Sequence, residues 1–308
     1  MGTKEIVQQG RGILTVAIGK DVYIEHAKNL ARSFRFHNPD LPIAVITDSS
    51  DPRLFKLYDH LIPLETQWGG PFRQKLSVAE YSPFEETLFI DSDCLVTKDV
   101  SGLWSLLSGR DFAMPGEPIQ SGHWYTDIAP LLARLGLTNL PKFNSGLFLF
   151  RRGDAVKTLM ASARDILDHH REYGIEVTHN GHCGDEPALA IAMAMLGVDP
   201  VEDTGVGQWG SFDYVNPRLE LDVLAGKCRY IYDHRVVEPT VAHFLAHGWR
   251  GKIYRRETIK LRLLLDYGFP RSLASIVGDQ IGRFLAMRSA LGQLKRKLWP
   301  LNGVAVCR

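Results

Sequence analysis

Thr87-Leu88-Phe89-Ile90-Asp91-Ser92-Asp93 is four apolar residues running straight into two carboxylates one residue apart. The apolar run reads as a short buried strand. In an open α/β sheet, ligands gather beyond the carboxyl ends of the strands, so a strand ending in Asp-X-Asp delivers both acids to a ligand site. Two hard oxygen donors there suit Mn²⁺ or Mg²⁺, which would neutralise a diphosphate. The plainer reading of the same residues is that Asp91 caps the turn and Asp93 is solvated.

Upstream, Ile13 to Ile18 is another buried-strand run, followed by Gly19 and by Asp21 as an N-cap. Tyr23 to Phe36 reads as a helix with Ile24, Ala27, Ala31 and Phe34 on one face, broken by His37-Asn38-Pro39-Asp40. Ile43 to Ile46 is a strand that ends at Asp48, and Phe72 to Glu80 is a helix stopped by Tyr81-Ser82-Pro83. Strand and helix alternating at roughly 20–30 residue intervals predict right-handed βαβ units. The fold class is therefore α/β, a mostly parallel sheet flanked by helices.

Downstream, Asp111 to Met114 and Phe143 to Phe150 read as strands, and Gly153 to Glu172 and Asp185 to Leu196 as helices. The Gly/Pro-rich stretch Pro115 to Asp127, with His123, Trp124 and Tyr125, is expected to be a mobile loop that orders over a bound ligand. Arg229 to Tyr232 and Val241 to Phe244 are short strands, and helical, basic sequence follows from Arg255. One α/β domain over 1–254 and a C-terminal helical appendage over 255–308 are expected.

The composition fits a soluble globular chain: 308 residues, 45% hydrophobic and 23% charged. Thirty-six basic against 35 acidic residues, a net charge of +1, give no reason to expect nucleic acid as a partner. Cys94, Cys183, Cys228 and Cys307 are scattered and read as reduced thiols of a cytoplasmic protein. No secretory signal or membrane span is legible. His169, His170, His179, His182 and Cys183 lack a second cysteine pair at zinc-ligand spacing. Between Gly278 and Trp299, Ile281, Phe284, Leu285, Leu291, Leu294 and Leu298 alternate with Arg283, Arg288, Lys295, Arg296 and Lys297. Such a helix suits the anionic cytoplasmic face of a membrane, or packs on its own domain or a partner.

Asp91-Ser92-Asp93 does not stand alone. Phe72-Arg73-Gln74-Lys75-Leu76 precedes it, and Asn144-Ser145-Gly146-Leu147, Gly184-Asp185-Glu186-Pro187-Ala188 and a His/Gly/Lys stretch from His243 to Lys252 follow. In this order, over roughly 13–252, the set resembles the GT-A glycosyltransferases of the glycogenin and lipooligosaccharide galactosyltransferase type, glycosyltransferase family eight. The resemblance implies a GT-A, Rossmann-like fold and a retaining transfer from a UDP-sugar to a glycan or lipid-linked hydroxyl, with Mn²⁺ (or Mg²⁺). It implies Asp91, Asp93 and His243 as metal ligands, with His247 an alternative because Lys252 follows His243 at wider than the family spacing. Donor contacts would come from Ala17, Ile18, Asp21, Tyr23, Lys75, Asp91, Ser92, Gly146, Gly248 and Lys252. Asn144, Asp185 and Glu186 would face the transferred sugar, Glu186 standing where glutamine is common. Three other readings stay open: a haloacid-dehalogenase-type phosphatase, although Leu95 stands where that motif wants Thr or Val; a nucleotidyltransferase, which lacks its Gly-rich loop here; and a non-catalytic nucleotide-sugar-binding protein.

Overall fold

The computed structural model describes residues 9–177, 183–202, 220–232, 234–244 and 251–298. His179, His182, His247, Gly248, Trp299 and Cys307 lie outside the described residues, as do the side chains of Leu285, Ala286 and the last helix beyond Met287. The chain begins with β1 (Gln9–Ala17), α1 (Asp21–His37), β2 (Ile43–Thr47), α2 (Leu54–Leu57), β3 (His60–Pro63), α3 (Pro71–Lys75), α4 (Val78–Tyr81) and β4 (Phe84–Ile90). There follow β5 (Cys94–Val96), β6 (Phe112–Ala113), β7 (Pro115–Ile119), α5 (Ile128–Leu135), β8 (Leu140–Phe143), β9 (Leu147–Arg151), α6 (Asp154–Asp168) and α7 (Asp185–Met195). The last elements are β10 (Val201–Glu202), β11 (Glu220–Asp222), β12 (Lys227–Tyr232), β13 (Arg235–Val237), β14 (Val241–His243), α8 (Lys252–Leu265) and α9 (Arg271–Leu298).

Six strands form the central sheet in the order β3-β2-β1-β4-β9-β6. The β1–β2, β1–β4 and β2–β3 pairs are parallel, and β9 runs antiparallel to β4 and β6. Strands covered on both faces need apolar residues at every position, which is why these runs lack polar alternation. Ile13, Ile43, Val45, Leu88 and Ile90 face one side, against Ile24, Ala27, Leu30 and Phe34 of α1. Leu14, Ala44, Ile46, Phe89 and Phe148 face the other, against α6 and α7. The α/β class and the mostly parallel sheet expected from the sequence are what the chain builds.

Three local expectations need correction. Phe72 to Glu80 is not one helix: α3 and α4 are separated at Leu76 and Ser77, where Arg164 of α6 donates to the Leu76 carbonyl at 2.7 Å. Phe143 to Phe150 is two strands of different sheets, because Asn144-Ser145-Gly146 turns the chain between β8 and β9. Pro115 to Asp127 is not loop throughout. Its first five residues are β7, paired with β8 and β10, and a Cβ on Gly116 would sit 2.5 Å from the Lys142 carbonyl oxygen. That glycine permits the close approach that turns a Gly/Pro-rich stretch into a strand.

Beyond Asp93, β5 pairs antiparallel with β14, and Leu95, Ala242 and Phe244 enter a third core with β11, β12 and α8. The expected boundary at 254 falls inside α8, whose Glu257 and Leu261 are fully buried, and Ala274 of α9 joins the same core. Lys260 of α8 contacts Asp279 of α9 at 2.8 Å and Asp222 of β11 at 3.2 Å.

A close approach also fixes the β1–β4 seam. A Cβ on Gly12 would lie 2.4 Å from the ring of Phe84, itself fully buried. Gly12→Ala should therefore overpack the core and destabilise the fold by about 1–3 kcal/mol. Urea unfolding should show a lowered midpoint at unchanged slope.

Candidate functional site

The parallel strands β1, β2 and β4 end on one side of the sheet, and the chain tightens there into a turn. The Asp91 N–H donates to the Gly146 carbonyl at 2.9 Å, and the Cys94 N–H donates back to the Asp91 carbonyl at 3.1 Å. This turn keeps the Asp91 and Asp93 carboxylates on the same side, with Ser92 buried between them. The β5–β14 register sets His243 opposite Cys94 and so beside Asp93. His243 Nε2 stands 3.0 Å from Asp93 Oδ1 and 3.9 Å from Asp91 Oδ2.

The imidazole is oriented from behind. Asn144 Oδ1 accepts from the Gly146 N–H at 3.0 Å, which identifies that atom as the oxygen. The same oxygen lies 3.0 Å from His243 Nδ1, so Nδ1 carries a proton and Nε2 is the nitrogen turned to the carboxylates. A ligating histidine is held in this way by a partner on its other nitrogen. Burial opposes charge on His243, but Asp93 and Asp91 together outweigh it and raise the imidazole above its usual range. The same pairing overcomes burial at Asp93 and lowers that carboxyl.

Lys75 arrives from the other side. Because α3 stops at this residue, its side chain turns inward, with Nζ 2.8 Å from Asp91 Oδ2, 3.2 Å from Asp185 Oδ2 and 3.0 Å from Ser145 Oγ. Burial opposes its charge, and Asp185 and Asp91 overcome it to hold the ammonium well above the usual lysine range. Ser145 Oγ donates to Asp185 Oδ2 at 2.7 Å, and its backbone N–H donates to Glu186 Oε1 at 3.1 Å. Asp185 and Glu186 open α7, where two acids complement the helix dipole. Glu186 Oε2 accepts from the Tyr125 hydroxyl at 3.0 Å, while burial and the neighbouring Asp185 push the glutamate carboxyl up.

The structure thus gathers Lys75, Asp91, Ser92, Asp93, Asn144, Gly146, Asp185, Glu186 and His243 in one cluster at the carboxyl end of the sheet. Ala17 and Ile18 leave β1 at this end, where the Gly19 N–H bonds both oxygens of Asp48 at 3.1 Å. Asp21 and Tyr23 stand exposed on the first turn of α1, with no hydrogen bond to the carboxylates among the described residues. Lys252 is exposed at the start of α8 and lines a cleft against α9 with Arg256, Asp279 and Arg283.

Sequence reasoning passed over several neighbours. Ser145 lay inside a recognised motif, yet its bridging of Lys75 and Asp185 depends on two other elements. His26 of α1 is 2% exposed, with its ring 5.7 Å from that of Tyr254. Burial holds it below the usual histidine range against the pull of Asp93. Cys94 Sγ falls within 4.8 Å of the ligand atoms of Asp93 and His243. Its thiol is fully buried and pushed well up by burial, so it packs as a small apolar group.

Four carboxylates meet one ammonium and one imidazole here, an excess of negative charge of the sign a cation needs. His243 Nε2, oriented toward Asp93 at 3.0 Å and Asp91 at 3.9 Å, and these carboxylates are the donor types a hard divalent ion such as Mn²⁺ or Mg²⁺ takes; Asp93, Cys94 and His243 are the ones whose ligand atoms lie within 4.8 Å of one another. No helix among the described residues is long and apolar enough to cross a membrane.

No family model matches the sequence, and no curated protein matches it. Solved structures do. The galactosyltransferase LgtC, in complex with donor and acceptor sugar analogs, superimposes with a TM-score of 0.53 at 14% identity, over 76% of this chain and 87% of that one. The bifunctional WbbM apo structure gives a TM-score of 0.54 at 12% identity, over 84% of this chain and 50% of that one. The glycosyltransferase GlyE of Streptococcus pneumoniae TIGR4 gives 0.45 at 17% identity, over 64% of this chain. The chain spans half the length of WbbM and 46% of GlyE. At these identities the likeness is one of fold, and the fold is GT-A.

Proposed function

We propose that the chain is a metal-dependent glycosyltransferase that moves a sugar, with retention of configuration, from a UDP-sugar to a hydroxyl of a glycan or lipid-linked acceptor. One observation carries this reading: Asp91, Asp93, His243, Lys75 and Asp185, drawn from four separate stretches of sequence, converge at the carboxyl end of a GT-A sheet. LgtC, solved with donor and acceptor sugar analogs, shares that fold.

In this reading Asp91, Asp93 and His243 Nε2 would hold Mn²⁺ or Mg²⁺, which would neutralise the negative charge that builds on the leaving diphosphate. Lys75 adds a fixed positive charge on the same side, Lys252 at the start of α8 takes the phosphates, and Gly248 would join it there. Ala17, Ile18, Asp21 and Tyr23 take the nucleoside, Tyr23 offering a stacking face. Ser92 and Gly146 complete the donor site. Asn144 orients His243, and Asp185 and Glu186 accept from sugar hydroxyls. Asp185 is the nearest carboxylate to act on the anomeric carbon, unless the acceptor oxygen attacks from the front face and passes its proton to the departing phosphate.

The exposed Leu273, Ile276, Phe284 and Met287 of α9, with Arg283 beside them, support peripheral attachment to an anionic cytoplasmic membrane face. A lipid-linked acceptor would lie there.

The test is incubation of the full chain with UDP-, GDP- and CDP-sugars and Mn²⁺, following release of nucleoside diphosphate. Release from a UDP-sugar, suppressed by a chelator, is the expected result. Phosphate release from a phosphomonoester with every nucleotide sugar left intact would favour the phosphatase.

A further inference from the structure

Tyr125 is one of two described non-glycine residues with positive φ, at 59°. A residue with a Cβ holds that conformation where its surroundings over-determine it, and such residues concentrate at functional sites. The surroundings here are specific. The Ile128 N–H bonds the Gly122 carbonyl, and the Trp124 N–H bonds the Thr126 carbonyl, both at 3.0 Å, so the segment turns tightly back on itself. The Glu176 N–H fastens the Tyr125 carbonyl at 2.7 Å. His123 ties the same segment to Asp127 at 3.1 Å and to Glu176 at 3.4 Å. The Trp124 ring braces the Tyr125 ring edge-on at 5.4 Å and the Phe143 ring at 5.8 Å.

These anchors bring the Tyr125 hydroxyl to the acidic cluster, where it donates to Glu186 Oε2 at 3.0 Å. The other carboxylate oxygen is held by the Ser145 N–H. A glutamate side chain has three rotatable bonds, and two donors from different elements fix its plane. Glu186 is thereby locked into the same network as Ser145, Asp185 and Lys75. An apolar ring would fill the space against Trp124 equally well; the hydroxyl adds the hold on Glu186.

We propose that Tyr125 is a positioning residue: its left-handed backbone, clamped by the 121–127 segment and Glu176, sets the orientation in which the Glu186 carboxylate meets the transferred sugar. The consequence rests on the glycosyltransferase reading of this cluster, but the Tyr125–Glu186 hold does not.

Tyr125→Phe keeps the ring and removes the hydroxyl. In the full chain with Mn²⁺, UDP-sugar turnover should fall ~10-fold or more in kcat, with little change in donor KM, because the misplaced group acts in the reacting complex. The melting temperature should stay near that of the parent. A ¹³C-detected titration of the Glu186 carboxyl, assigned with Glu186→Gln, should move to higher pH in the variant, because the phenol donates to the ionised form. A kcat and a Glu186 titration both equal to the parent's would overturn the proposal. If the parent turns over no nucleotide sugar, the glycosyltransferase reading fails on its own, and an unmoved Glu186 titration would then still refute the role given to Tyr125.

Discussion

Asp93→Asn should abolish metal-promoted nucleotide binding while leaving the fold almost intact. Asp93 sits in the turn between β4 and β5, outside the three apolar cores and with its side chain 22% exposed, so little packing depends on it. Asparagine keeps the shape and an oxygen that can accept from His243 Nε2. What it loses is the negative charge, which a hard divalent cation requires from its ligands. Disturbing groups that merely support a ligand costs roughly 10–100-fold in metal affinity, so losing the ligand itself should cost about 100-fold or more. Calorimetry with Mn²⁺ and UDP reads the loss directly, and an unchanged thermal melt separates it from misfolding.

The second large effect is expected at Lys75. The ammonium stands between Asp91 and Asp185, with its side chain 11% exposed. Lys75→Met leaves two carboxylates facing each other without their counter-ion, and removing one partner of a buried ionic group costs about 3–5 kcal/mol. The sign with pH follows from Asp91, whose carboxyl burial already pushes up against the pull of Lys75. With the lysine gone, Asp91 binds its proton more tightly in the folded than in the unfolded chain. The deficit is then greatest at neutral pH and shrinks as pH falls through the folded Asp91 pKa. Chemical denaturation of parent and variant at pH 7.5 and pH 5.5 should show the gap narrowing at the lower pH. A gap that widens on acidification would place the damage outside this cluster.

How much of this was legible in the sequence depends on how local each feature is. The apolar run Thr87 to Ile90 followed by Asp91-Ser92-Asp93 is a strand and its end, and both are set by neighbouring residues. The motifs Asn144-Ser145-Gly146 and Asp185-Glu186 were visible for the same reason, one as a turn and the other as an acidic helix start. The division of Phe72 to Glu80 was not visible, because Arg164 takes the Leu76 carbonyl from α6, far along the chain. Spacing alone left His243 and His247 as alternatives. The β5–β14 register is a long-range pairing, and it sets His243 against Asp93 while His247 lies outside the described residues. Tyr125 stood in a Gly/Pro-rich stretch that, with His123 and Trp124, reads as a loop over the bound ligand and its acceptor side. Its positive φ and its bond to Glu186 arise from contacts with Glu176 and α7 that no local pattern announces.

Calorimetric titration of UDP into the full chain, with and without Mn²⁺, tests the central claim most directly. The Asp91, Asp93 and His243 cluster should bind the diphosphate only through a divalent ion. UDP should therefore bind with Mn²⁺ present, bind far more weakly after chelation, and fail to regain affinity in the Asp93→Asn protein. Equal UDP affinity with and without the metal, or parent-like affinity in Asp93→Asn, would contradict the metal-dependent site.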